Sequence, residues 1–217
     1  ITVSRAGHAY LDLVEEANGI QKAAIRGNIW RSAFEKIKKE LGESSASVLQ
    51  VGSEIVFKCS VSFHEVHGLG LLIDSIDLSF MLGELERRKA EAILKIKKDG
   101  THLLNAALPI PLVIQKIALV GSPGTAGFRD FVKHVIDNDF LFKYDINVYA
   151  ASVQGVEAPT QLSKAILKAD KDNPDVIVIL RGGGSPMDLD CFNDYTLAID
   201  ISKLQVPVLT GIGHESD

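Results

Sequence analysis

The sequence predicts an α/β chain in two parts: a partial β-barrel, followed by a domain built on a parallel sheet. Three observations carry this expectation. The first 78 residues contain stretches in which apolar and polar side chains alternate with period two. The remainder places near-continuous Val/Ile/Leu runs about 30 residues apart, the length of a βαβ unit, with helical stretches between them. Each of those runs also ends in small or polar residues: GSPGTAG, SVQG, RGGGS and GIGHESD.

In the front part, Ala9, Leu11 and Leu13 alternate with His8, Tyr10 and Asp12, the mark of a strand. Asn18-Gly19 is a hairpin-type dipeptide, and a second strand covers Ile20–Ile29. Residues 31–41 place Phe34, Ile37 and Leu41 at helical spacing, and Gly42 closes the helix. Ile55, Phe57, Cys59, Val61 and Phe63 alternate with Val56, Lys58, Ser60, Ser62 and His64; Gly68 and Gly70 mark a turn, and Leu71–Leu78 return. The order is strand, strand, helix, strand, strand. An OB-type barrel runs three strands, a helix, then two strands, and needs closure to hide its edges. The pattern therefore fits either a four-stranded α+β module or an OB-type barrel entered at its second strand. We prefer the second, because the chain starts at a strand that already reads as the second. Residues 1–78 are assigned to this partial barrel, with its first strand expected to be missing.

Residues 80–99 read as a charged helix with Leu82, Leu85, Ala92, Ile93 and Ile96 along one side, ended by Gly100. Asn105–Pro111, with two prolines, reads as a linker, so that 79–111 join the two parts. In residues 112–217 strands are expected at Lys116–Val120, Ile146–Ala151, Asp175–Leu180 and Val206–Thr210. Helices are expected at Thr125–Ile136, Pro159–Ala169 and Phe192–Leu204. Continuous apolar strands imply a parallel sheet buried on both faces, and ligands then bind outside the carboxyl ends of its strands.

Composition sets the outer bounds. Of 217 residues 46% are hydrophobic and 24% charged, which excludes a wholly disordered or collagen-like chain. No apolar run approaches the roughly 20 residues of a transmembrane helix, so no membrane role is expected. The opening ITVSRAGHAY carries no leader pattern. Cys59 and Cys191 stand alone, with no CxxC or Cys/His cluster, which argues against a zinc finger or disulfide framework and for a reducing cytoplasm. The net charge is −5, so bulk electrostatics gives no support to nucleic-acid binding; any such role must rest on local groups.

The strongest local motif is DVIVILRGGGSPMDLDCFND. Gly182, Gly183 and Gly184 let backbone N–H groups turn toward an anion without Cβ obstruction, Ser185 follows, and Arg181 adds a permanently charged forked donor suited to phosphate. A glycine-rich turn used only for geometry is the competing reading. In PVLTGIGHESD, His214 leaves a strand end with Asp217 three residues on, a pair able to act as general base or acid near neutral pH; a histidine that merely caps a turn is the alternative. In GSPGTAGFRDF, Thr125 or Ser122 can cap a helix whose N-terminus favours anions, and Asp130 lies a turn further on, where it serves equally as a surface residue. His64 and His67 resemble a metal pair, but at a strand end residues i and i+3 point to opposite faces. Asp188, Asp190 and Asp194 can bind Mg²⁺ through carboxylates or cap and solubilise a helix start; no metal site is assigned. Tyr10 and Trp30 are the aromatics best suited to stack on bases, if the front part binds single strands.

At RGGGSPMDLDCFND and PVLTGIGHESD the sequence resembles the family of the large subunit of bacterial exodeoxyribonuclease VII. That family carries RGGGS-x-x-DL-x-x-FN, then PV-x-x-x-x-GHE-[ST]-D at this separation. Its earlier S-P-x-[GT]-A-x-x-RD segment reads here SPGTAGFRD (Ser122–Asp130). Its P-A-x-VQG-x-x-A-P segment reads AASVQGVEAP, with Ala150 in place of the first Pro. GHAYLDL, from Gly7 to Leu13, resembles the family's N-terminal OB domain more weakly. The resemblance implies hydrolysis of single-stranded DNA from either end to short oligonucleotides, without a required divalent metal. It maps essential positions onto Asp130, Arg181, His214 and Asp217. It also implies a long helical region beyond the position of Asp217 that binds multiple small subunits, so the chain is expected to be truncated at both ends.

The mechanism expected on this reading has Arg181 and the Gly182–Ser185 amides holding the scissile phosphate. His214 activates water or protonates the leaving oxygen, Asp217 orients it, and Asp130 acts as second base or positioner. A strand order 2-1-3-4 would bring the loops after strands one and three together at the switch point. Two rivals stand beside it. A phosphotransferase is suggested by a strand running into GGGS, although the chain lacks G-x-x-x-x-G-K-[ST]. A non-catalytic single-strand-binding module is suggested by the OB-like front.

Overall fold

The computed structural model describes residues 1–17, 20–42, 45–49, 51–66, 68–137 and 143–213. The chain divides into two units, 1–84 and 85–217.

In the first unit, β1 (Thr2–Val3), β2 (Ala9–Ala17), β3 (Ile20–Ile29), α1 (Arg31–Leu41), α2 (Ser45–Val48), β4 (Phe57–His64) and β5 (Gly68–Ile76) form a five-stranded sheet in the order β1-β2-β3-β5-β4. β2 and β3 pair antiparallel, β3 and β5 parallel, and β4 and β5 antiparallel. Asn18 and Gly19, the expected hairpin dipeptide, lie outside the described residues. The helix between β3 and β4 is where the OB-type reading puts it. That reading needs one correction: Thr2–Val3 pair with Tyr10 and Ala9 in the first-strand place, where no strand is expected. A two-residue strand offers no alternation for a sequence to reveal.

Alternation decides which face is buried. Ala9, Leu11 and Ile29 point into the core, where Phe34, Ile37 and Leu41 of α1 meet Ile73 and Ile76 of β5. A Cβ at Gly27 would stand 2.9 Å from Ile73 Cδ1 and 3.2 Å from Leu13 Cδ1, so a side chain there would have to push those ends aside. β4 alternates as expected but leaves Val61 and Phe63 exposed, since among the described residues it pairs with β5 alone.

α3 (Leu78–Lys98) buries Met81 and Leu85, while Ile93 stays exposed, so the expected apolar stripe is only partly used. Within the second unit its last turns are held by three polar contacts. Arg88 lies 3.9 Å from Asp190, Lys95 sits 3.9 Å above the Tyr195 ring, and the Tyr195 hydroxyl donates to Asp99. The Asn105–Pro111 stretch is not a bare linker. The Asn105 amide donates to the Val206 carbonyl and accepts from the Val208 N–H, both at 2.9 Å, satisfying the outer edge of the last strand.

That unit holds β6 (Lys116–Gly121), α4 (Ala126–Ile136), β7 (Asp145–Ala150), α5 (Ala158–Lys171), β8 (Val176–Arg181), α6 (Pro186–Leu189), a 3₁₀ turn (Asp190–Asn193), α7 (Tyr195–Lys203) and β9 (Val208–Ile212). All four strands are parallel, in the order β7-β6-β8-β9. In chain order that is 2-1-3-4, so the switch point lies between β6 and β8. On one face Leu162 and Ile166 of α5 and Leu197 of α7 pack on Ala118, Val120, Ile177 and Ile179. On the other, Phe128 of α4 packs on Ile117, Leu119, Val178 and Leu180. Burial on both faces holds for β8 throughout and for β6 beyond Lys116, but not for the edge strands β7 and β9, whose residues are largely exposed or half-buried. The single helix expected at 192–204 is broken, because the Asp194 carboxylate accepts the Leu197 N–H at 2.8 Å and starts a new helix there. Among the described residues no helix is long and apolar enough to cross a membrane.

Candidate active site

Parallel strands deliver their carboxyl ends to one rim, and the loops after β6 and β8 meet at the switch point. After β6, α4 starts so close to the loop after β8 that a Cβ on Gly127 would lie 3.2 Å from Gly182 Cα. After β9, the Gly213 N–H donates to the Arg181 carbonyl at 3.2 Å. The loop after β7 joins through the Ala151 N–H, which donates to Gly121 O at 2.9 Å, and through Cys191, whose thiol lies 3.4 Å from Val153 O. Residues far apart in the chain thus become neighbours around the glycine loop 182–184.

Arg181 ends β8 and is 7% exposed. Its guanidinium is folded beneath its own loop: Nη1 donates to the carbonyls of Gly182 and Gly183, and Nη2 lies 3.7 Å from Asp188 Oδ2. Nε is buried without a partner among the described residues. Gly184 is needed for this, since a Cβ there would stand 2.6 Å from both terminal nitrogens. Ser185 and Asp188 form a capping box. The Asp188 carboxylate accepts from the Ser185 N–H at 3.1 Å and hydroxyl at 3.0 Å, and the Asp188 N–H donates back to Ser185 Oγ at 3.3 Å.

Across the gap, Thr125 occupies the N-cap of α4 but does not cap it. Its hydroxyl donates to Ser122 O at 2.8 Å, so among the described residues the first N–H groups of α4 have no capping side chain from Thr125 where Gly127 abuts Gly182. Uncapped helix N–H groups favour an anion. Ser122 is half-buried in this turn, and Asp130 is exposed on α4, three residues beyond Gly127. His214 and Asp217 lie outside the described residues; the chain reaches them directly after Gly213. His67 also lies outside them, while His64 accepts the Val66 N–H at its own Nδ1.

The three carboxylates considered for Mg²⁺ have other partners. Asp188 serves the capping box, Asp190 meets Arg88 and accepts from the Asn193 amide, and Asp194 caps α7. No cluster of three or more potential metal ligands occurs among the described residues. Burial pushes the Cys191 thiol up to about 12, opposed by the nearby Arg181 charge. Cys191 is therefore expected to stay unreactive at pH 8 while exposed Cys59 is modified. Counting thiols with a chromogenic disulfide should give one per native chain and two in denaturant. Rapid native reaction of both would contradict this burial.

An apolar groove lined by Leu112, Ile117, Phe131, Val178 and Leu209 among others contains none of the expected site residues and offers no charged donor to a phosphate. Sequence reasoning did not find the inward turn of Arg181 or the contact of Gly127 with Gly182. The Ser185-x-x-Asp188 spacing was the available signal for the capping box. In the first unit, Tyr10 stands opposite Asn28, and Trp30 follows the end of β3 as the N-cap of α1. Both are exposed, and the His8 ring packs edge-on against Trp30 at 4.9 Å.

Comparison with known proteins adds the following. Residues 104–217 match the family described as "Exonuclease VII, large subunit", and residues 1–77 match "OB-fold nucleic acid binding domain". Proteins named exodeoxyribonuclease 7 large subunit are similar along the chain. The one from Campylobacter lari is 32% identical, covering 100% of this chain and 52% of its own length. That of Campylobacter jejuni is 30% identical with the same coverage, and that of Deinococcus radiodurans is 28% identical over 97% of this chain and 53% of its own. The chain thus spans about half the length of the curated relatives it matches.

Proposed function

The chain belongs to the exonuclease VII large-subunit family, and on that premise we propose that it carries the strand-binding and catalytic parts of a nuclease that hydrolyses single-stranded DNA from either end to short oligonucleotides. The observation that carries this reading is the meeting of the loops after β6 and β8 at Gly127 and Gly182, with Gly213 at the end of β9 bonded to Arg181. The uncapped start of α4, the glycine loop and the buried Arg181 charge together make that rim attractive to a phosphoryl group. Asp130 and His214 are the proton-handling groups, with Asp217 orienting the imidazole. In hydrolysis, water adds to phosphorus, its proton passes to the base, and the leaving sugar oxygen takes a proton as the P–O bond breaks. Tyr10 and Trp30 stack on bases of the incoming strand, and small-subunit copies assemble on the part of the relatives that this chain does not span. Two free cysteines and a DNA substrate agree with a cytoplasmic protein.

The test is cleavage of end-labelled single strands and duplexes by the full-length protein with its small subunit. Short products from single strands alone are expected, with a loss of about 10²-fold or more in His214→Ala and Asp130→Ala, the scale of removing one transition-state group. Undiminished cleavage by both variants, or no cleavage by the parent, rejects the reading.

A further inference from the structure

We propose that Arg181 is a positioning residue for the phosphoryl site: lodged beneath its own loop, it turns the N–H groups of Gly183 and Gly184 outward, and these two amides grip the anion. The inference rests on the reading of loop 181–185 as a phosphate site and assigns its donors.

The argument is one of peptide geometry. In a trans peptide the carbonyl of residue i and the N–H of residue i+1 share one plane and point in opposite directions. No cis peptide occurs among the described residues. Nη1 of Arg181 draws the Gly182 and Gly183 carbonyls inward, onto the buried guanidinium. The N–H groups of the same two peptides, those of Gly183 and Gly184, therefore face the other way. Both glycines are half-buried, not sealed, and neither N–H has a partner among the described residues. Successive outward N–H groups form an anion-binding concavity.

The other candidates in the motif are already engaged. The Ser185 N–H and hydroxyl both serve Asp188, so they are not free donors to a ligand. The Arg181 side chain is buried, with Nη1 donating to the loop carbonyls and Nη2 beside Asp188. Its charge still favours an anion from below, while its fork fixes the direction of the amides. Gly184 completes the device, since any side chain there would occupy the place of the guanidinium.

The test uses this chain labelled with ¹⁵N-glycine and ¹⁵N-arginine, titrated with inorganic phosphate and with a thymidine dinucleotide. Saturable shifts of the Gly183 and Gly184 amides are expected, with the Arg181 Nε–H resonance nearly still. Gly184→Ala, which keeps both the arginine and the N–H but evicts the fork, should weaken phosphate binding at least tenfold in a protein whose circular dichroism spectrum still shows the parent's fold. Arg181→Lys, which keeps the charge without the fork, should weaken it likewise. Large shifts at Arg181 Nε with silent glycines would overturn the assignment in favour of direct contact. Silent glycines in a protein that still cleaves single strands would overturn it while leaving the nuclease reading intact.

Discussion

Replacing Gly121 by alanine should cost the second unit about 3 kcal/mol, the upper end of the usual penalty for overpacking. Gly121 is the last residue of β6 and pairs with Leu180 across the switch point. A Cβ built there stands 2.7 Å from the Leu180 carbonyl oxygen and 3.3 Å from the Phe128 ring. The first contact is with backbone of a strand whose every residue is buried, so neither partner can swing aside. Relief requires β6 and β8 to part where the candidate site is built, and activity should fall with stability. At roughly 2–4 °C per kcal/mol for a protein of this size, calorimetry should find the transition of this unit lowered by about 10 °C. Gly83→Ala is the control: that glycine lies exposed within α3 with nothing within 4 Å, and alanine there should be neutral or gain up to ~1 kcal/mol. A Gly121→Ala protein melting within 2 °C of its parent would contradict the packing described.

The sequence makes some parts of this molecule legible and hides others, for physical reasons. The Phe34, Ile37 and Leu41 stripe and the strand β8 are local patterns, repeated often enough that burial follows from them. The convergence of strand ends was legible because parallel sheets force it. β1, α2 and α6 are too short to show a period. The exposure of β7 and β9 follows from their places at the sheet edges, which no single run of residues encodes. The Asn105 clamp on Val206 and Val208 joins segments about a hundred positions apart and has no local signature. At Arg181 the motif announced a forked cation at a strand end, but its direction depends on where the following glycines place their carbonyls. A sequence gives the type of donor more readily than the way it points.

Asp188→Ala should be the most damaging polar substitution in the second unit. The change removes the carboxylate 3.7 Å from Nη2 of Arg181 and leaves a guanidinium, 8% exposed over its side chain, without that partner. It also strips the acceptor from the Ser185 N–H and hydroxyl, so the capping box that starts α6 is lost. Breaking a buried pair from one side typically costs about 3–5 kcal/mol, mostly from the charge left behind. Asp188→Asn keeps an acceptor for Ser185 but not the charge, and should fall between parent and alanine variant. The cause can be separated from general loss of contact by a double substitution. If the buried charge is what destabilises, Arg181→Met combined with Asp188→Ala should be more stable than Asp188→Ala alone, since the second change removes the stranded cation. Urea unfolding of the two single variants and the double variant gives the sign directly. Simple addition of the two losses would mean that Arg181 and Asp188 stabilise the loop separately, and that the pairing seen between them carries no energy of its own.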